Sequence, residues 1–275
     1  MDTSILKQLA TPTSVALALA LTGTGTVSAQ SFSEDFSGFS ISDTPTATAV
    51  QGVTVIDGSG TIGDGNAAQV LDTSASSGDA SYLEYNFATN EASEFGAVVY
   101  SFDIYNNKVS GSASSFIVGI GSYADSSGGE LNASADRTFN LEFRTTDDFI
   151  RVRGATNADG TYNYANGSNV VVYVNDNDTN SIGYTDPDSL AQTLAANSGA
   201  IYIDGSLVGT VGFSTSFTDE GDAGLGRIGF YSGSSVISDF TIDNITVSAI
   251  PEPSSFAAIM GVGILSMVLV RRRKA

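Results

Sequence analysis

The chain has 275 residues, 30 of them acidic and 11 basic, giving a formal charge of −19, and it contains no histidine, cysteine or tryptophan. Without His or Cys, the Ser-His-Asp and Cys-His arrangements and ordinary zinc sites are excluded, and acid–base chemistry is left to Asp, Glu, Tyr, Lys and Arg. So acidic a chain repels nucleic acid and anionic membrane surfaces, and neither is expected as a partner.

Residues 1–29 read as a signal peptide. Lys7 precedes the short apolar run 15–21, and the small-residue triplet Val27-Ser28-Ala29 follows. That order of basic, apolar and small residues is what signal peptidase recognises, with cleavage expected between Ala29 and Gln30. The apolar run is too short to span a bilayer.

Residues 30–250 form the body. Five of the 11 basic residues (Lys7, Arg271, Arg272, Arg273 and Lys274) lie outside it, as do Asp2 and Glu252, so the body carries six basic against 28 acidic residues, a charge near −22. Charged residues are only 15% of the chain and glycine is abundant at 30 residues, the make-up of short strands joined by polar turns. Strands are expected at Val53–Ile56, Ala67–Leu71, Phe116–Ile120, Val170–Val174 and Arg227–Tyr231. Period-two alternation marks others, placing Leu83, Tyr85 and Phe87 on one face, then Val98, Tyr100, Phe102 and Ile104, then Phe139, Leu141 and Phe143, then Ile150 and Val152. The segment 187–197 reads either as a short helix capped by Asp186 or as an extended loop. Asp204-Gly205, between Ala200–Ile203 and Ser206–Val208, suits a type I′ hairpin turn. In the last strand, Phe240–Val247, the apolar parity changes between Ile242 and Ile245, which calls for a bulge near Asp243-Asn244.

The tail is ordered in three parts: Pro251-Glu252-Pro253, an apolar stretch over 254–270, and Arg271-Arg272-Arg273-Lys274. The stretch is about 17 residues, the lower edge for a spanning helix, and the basic cluster keeps its end cytoplasmic. This tail resembles the PEP-CTERM sorting signal. The resemblance implies a Gram-negative bacterium, an exosortase as processing partner, a transient C-terminal membrane anchor, and delivery to the cell surface or an extracellular, biofilm-type matrix.

About twelve strands fit an all-β, two-sheet antiparallel jelly-roll sandwich. The body also resembles concanavalin-like, laminin-G-type jelly rolls, on Glu34-Asp35-Phe36, the hairpin 201–208 and the closing segment 239–247. In such a fold the first and last strands lie side by side. Glu34 and Asp35 would then approach Asp239, Asp243 and Asn244 and could supply oxygen ligands to a structural Ca²⁺. The segment Asn175–Asn180 lacks the Gly and Glu of a calcium loop and reads as a turn. Arg151 and Arg153 share one strand face and could hold a carboxylate-bearing sugar or salt-bridge on the sheet. Asp147-Asp148 reads as the end of a turn. Tyr162, Tyr164 and Tyr184 sit in polar, loop-like stretches as candidate sugar-stacking residues. The Glu-x-Asp-x-x-Glu spacing of laminarinase-type hydrolases is absent, so no catalytic residue is assigned. The expectation is a non-catalytic, exported module that engages extracellular polysaccharide or matrix. The alternatives are a polysaccharide hydrolase or lyase, and a purely structural coat protein.

Overall fold

A computed structural model describes residues 31–59, 61–62, 65–73, 81–107, 115–123, 131, 137–144, 149–152, 161–213, 224–232 and 237–250. The leader with its expected Ala29/Gln30 cleavage site lies outside these residues. So do Asp147, Asp148, Arg153 and the whole tail, including Pro251, Glu252, Pro253, the 254–270 stretch and Arg271, Arg272 and Arg273. Among the described residues no helix is long and apolar enough to cross a membrane.

The period-two segments all become strands. In chain order they are β1 (Ser31–Glu34), β2 (Ala49–Gln51), β3 (Val53–Asp57), β4 (Asn66–Asp72), β5 (Tyr82–Asn86), β6 (Ala97–Asn106), β7 (Ser115–Gly121), β8 (Phe139–Arg144) and β9 (Phe149–Val152). They continue with β10 (Thr161–Asn163), β11 (Ser168–Asn175), β12 (Ile182–Thr185), β13 (Ala191–Leu194), β14 (Ser198–Ile203), β15 (Ser206–Gly212), β16 (Arg227–Ser232) and β17 (Ser238–Ala249). One sheet runs β15-β14-β11-β6-β17-β4-β3, with β1 added against β17. The other runs β10-β9-β8-β7-β16-β5-β2. All pairings are antiparallel, and the two sheets stack as a jelly-roll sandwich.

Side chains alternate across a strand, so each sheet sends every second residue inward. Val98, Tyr100, Phe102 and Ile104 of β6 meet Phe116, Val118 and Ile120 of β7, Leu141 and Phe143 of β8, and Ile228 and Phe230 of β16 in one buried core. Aromatic rings tie the layers. Phe102 stands edge-on to Phe230 (centroids 5.4 Å apart, 85°) and to Phe143 (5.9 Å, 70°), while Phe116 stacks on Phe240 at 4.4 Å. Edge-to-face pairs of this kind add about 0.5–1.5 kcal/mol each beyond area burial.

The bulge in the last strand is present. Asp243 pairs with Asp103 and Thr246 with Ser101, so the register slips between them, and Asn244 takes a positive φ of 50°. Ile242 and Ile245 are thereby both fully buried. The Asp204-Gly205 turn has positive φ at both positions, 49° and 79°. The Asp204 carboxylate accepts bonds from the Ser168 hydroxyl (2.8 Å) and the Asn169 N–H (2.9 Å), which lock the turn onto β11.

The segment after Asp186 is neither a helix nor a plain loop. It closes the β12–β13 hairpin, because the Asp186 carboxylate accepts the Leu190 N–H (2.8 Å) and the Gln192 side-chain amide (2.9 Å) across the turn. Burial supplies the drive. Ile182 and Leu194 pack with Tyr173, Ala200, Tyr202 and Ile250 in a small second core outside β11 and β14.

Candidate functional site

The residues left facing outward by the core alternation give the two sheets opposite characters. On the eight-stranded sheet, Asp103 accepts the side-chain amides of Asn169 and Asn244, both at 2.7 Å. Asp239 accepts those of Gln69 and Asn107, both at 2.8 Å. This face is acidic and amide-rich. On the seven-stranded sheet, the outward positions are Glu84 and Asn86 of β5, Asn140, Glu142 and Arg144 of β8, Arg151 of β9, and Arg227 and Tyr231 of β16. Arg137, just before β8, lies over Gly119 of β7, where a Cβ would come within 3.2 Å of the arginine stem. All four described basic residues (Arg137, Arg144, Arg151 and Arg227) therefore sit on one face of one sheet.

This face has a buried half and an open half. In the buried half, Arg227 and Glu84 pair at 3.3 Å with side-chain exposures of 1% and 0%. Arg227 also donates to the Asn86 side-chain carbonyl at 2.9 Å. Glu84 further accepts the Leu131 N–H (3.2 Å), and the Leu131 carbonyl accepts from Arg137 Nε. The Arg137 guanidinium lies 5.9 Å from the Tyr231 ring centroid, within cation–π range. A desolvated pair such as this gives positional order more than net stability, but breaking it leaves a buried charge.

In the open half, Glu142 bridges two arginines. Its carboxylate lies 3.0 Å from Arg151 and 3.5 Å from Arg144, whose side chains are 39% and 24% exposed while its own is 3% exposed. Arg151 stands opposite Glu142 in the β8–β9 ladder. The Arg144 guanidinium also rests 5.9 Å from the Phe149 ring centroid.

Of the residues singled out from sequence, the structure brings together some and separates others. Tyr164 is a core residue, 5% exposed and edge-on to Phe143 at 5.3 Å, so it is not a stacking surface. Tyr162 lies on β10, packs on the sandwich core and presses on Gly209, and burial raises its hydroxyl pKa. Tyr184 lies on β12 and shares a hydroxyl contact of 3.0 Å with Tyr202, with its ring 4.3 Å from Tyr173. Tyr162 and Tyr184 are strand residues and not loop residues, and the three tyrosines do not converge.

The acidic quartet is split. β1 does pair with β17, placing Glu34 opposite Ile245. Asp243 is buried there with Asp103, Asp35 and Glu34 as electrostatic neighbours, and burial first, then those charges, push its carboxyl up to about 6. Asp239 sits further along β17, opposite Leu71 of β4. Glu34 caps the Phe36 N–H at 2.8 Å and Asp35 accepts from Ser37. Among the described residues no group of three or more carboxylates is arranged to hold a metal ion. The 175–180 stretch is a bend organised by Asn175, whose side-chain amide donates to the carbonyls of Asn180 and Ala195.

Sequence reasoning named only Arg151 on the arginine face. Arg144, Glu142, Arg137, Arg227 and Glu84 were missed. The available signal was parity: each strand residue among them alternates with residues assigned to the core, and basic residues are rare enough in this body for four on one face to stand out.

No family model matches the chain, and no curated protein matches it. Among solved structures, it is similar to the alginate lyase Aly36B at 14% identity and a TM-score of 0.46, over 82% of this chain and 98% of that one. It is also similar to the Crh5 transglycosylase (11% identity, TM-score 0.43, 82% and 86% covered). A third similarity is to a carbohydrate esterase of the Shiga toxin-encoding bacteriophage phi24B (13%, 0.41, 75% and 90%).

Proposed function

We propose that this is an exported surface or matrix protein whose sandwich acts as a non-catalytic, polysaccharide-engaging module, with the outward face of the seven-stranded sheet as the contact surface. The observation that carries the reading is the placement of every described basic residue on that face, in a body whose charge is near −22. Six basic residues cannot offset 28 acids, so placing the four described ones on one face creates a local attraction that the rest of the described surface opposes. Export and sorting rest on the two ends of the sequence. Signal peptidase acts after Ala29, the 254–270 stretch anchors transiently, and an exosortase removes the tail near Pro251 to Pro253. No bound ion is required for the glycan contact.

The test is a glycan array probed with the full chain purified in detergent, beside mass spectrometry of the surface-exposed protein from an exosortase-bearing host. Binding to extracellular polysaccharide, a mature start at Gln30 and loss of Arg271–Lys274 are expected. No glycan binding would favour the structural-coat alternative. Turnover of a polysaccharide, abolished by a single carboxylate substitution, would establish the enzymatic one.

A further inference from the structure

We infer that Arg144 and Arg151, held side by side by Glu142, form a subsite for the carboxylate of a uronic acid unit, and that the polysaccharide this face engages is therefore a polyuronate. The inference rests on the proposed function and names its ligand class.

Three observations carry it. First, one carboxylate faces two guanidiniums. Glu142 contacts Arg151 at 3.0 Å and Arg144 at 3.5 Å, and no other described carboxylate lies within ion-pair distance of either arginine. Among the described residues the cluster keeps one positive charge in excess, inside an otherwise strongly acidic molecule. Second, the cluster is pre-organised. Glu142 is almost fully buried and opposes Arg151 in register, and Arg144 follows two residues along the same strand on the same face, its guanidinium against Phe149. Less side-chain freedom is then lost on binding. Third, most donors are uncommitted. A guanidinium carries five N–H groups. Arg144 contacts Glu142 through one terminal nitrogen at 3.5 Å, and Arg151 through one terminal nitrogen at 3.0 Å.

The chemistry selects the ligand. A guanidinium is a planar fork that matches a planar carboxylate with two parallel hydrogen bonds. The chain already seats one carboxylate, that of Glu142, between these two forks. The accessible part of the face is its β8–β9 end, where Arg144 and Arg151 are 24% and 39% exposed, so the subsite takes a uronate unit of the polymer there.

The experiment measures binding of the full chain in detergent to four probes: polygalacturonate, the same polymer after carboxyl reduction, dextran sulfate and neutral dextran. Expected are binding to polygalacturonate that weakens with salt, loss of about tenfold or more on carboxyl reduction, and weaker binding to dextran sulfate. Arg144→Ala/Arg151→Ala should lose about tenfold or more, with a lowered melting temperature because the buried Glu142 carboxylate loses both guanidiniums. Arg144→Lys/Arg151→Lys, which keeps the charge and removes the fork, should fall between and guards against misfolding of the alanine variant. Equal binding to the carboxyl-reduced polymer overturns the inference and leaves the proposed function standing. Binding to dextran sulfate as tight as to polygalacturonate overturns it as well, since charge alone would then suffice. Binding to none of the four, with no glycan retained on the array, removes both readings.

Discussion

Replacing Asp243 by Asn should stabilise the protein at neutral and alkaline pH and leave it nearly unchanged in mild acid. Asp243 lies at the β17 bulge, directly opposite Asp103 on β6, with Asp35 and Glu34 at the end of β1. No described basic residue is on that side of the sandwich. Burial and the three neighbouring carboxylates push its pKa from 3.8 up to about 6. A raised carboxyl pKa means the folded state binds the proton more tightly than the unfolded chain. The stability linked to that proton is complete below about pH 4 and is lost as pH rises through about 6. The rise is about two pH units, and at ~1.4 kcal/mol per unit the ionised group costs the fold at most about 3 kcal/mol. Screening at the exposed β1 end brings the expectation to about 2 kcal/mol. Asparagine carries no charge and keeps an oxygen for the Asn244 N–H, which Asp243 accepts at 2.7 Å. Urea unfolding of parent and Asp243→Asn at pH 4 and pH 8 reads the difference. A gap of the same size at both pH values refutes the reasoning. So does a variant less stable than the parent at pH 8, and that result together with chelator-sensitive melting would mean that a cation neutralises this end.

Phe102→Ala should cost about 3–5 kcal/mol in urea unfolding, because a fully buried ring with two edge-to-face partners is removed at the sheet–sheet contact. Arg227→Ala should cost about 3–5 kcal/mol by leaving Glu84 buried beside the gap, and thermal melting checks it. Gly205→Ala should cost about 1 kcal/mol, since its φ of 79° is disfavoured by a Cβ, with no loss of fold by circular dichroism.

Much of the fold was legible because a half-buried strand writes its geometry into every second residue. The core faces of β6, β8, β9 and β17 follow from that period alone, and so does the bulge. Register leaves no alternative once Ile242 and Ile245 must both point inward. The β12–β13 hairpin was not legible. Its drive is the apolar outer surface of Tyr173, Ala200 and Tyr202, which belongs to other strands, and Asp186 can serve a turn as readily as a helix start. Tyr164 was misplaced for a related reason. It lies among polar neighbours in sequence, yet Phe143, twenty-one positions earlier, provides the ring it packs on.

By itself the sequence determined the all-β class and twelve of the seventeen described strands, the inward and outward parity of most of these, the Asp204-Gly205 turn and the excess of acid over base, since all of these are local or additive properties. It also carries the export and sorting expectations at both ends. Only the tertiary structure decided which outward residues share a face. The strand order sets β5, β16, β7, β8 and β9 side by side, and Arg227, Arg137, Arg144 and Arg151, spread over ninety positions, come to share one face of the sheet, the first two buried and the last two open. The same order places Asp239 beside β4 and Asp243 beside β1 and Asp103, dividing carboxylates that sequence spacing alone would group. Proximity across strands is fixed by non-local hydrogen-bonded register, which no stretch of sequence records on its own.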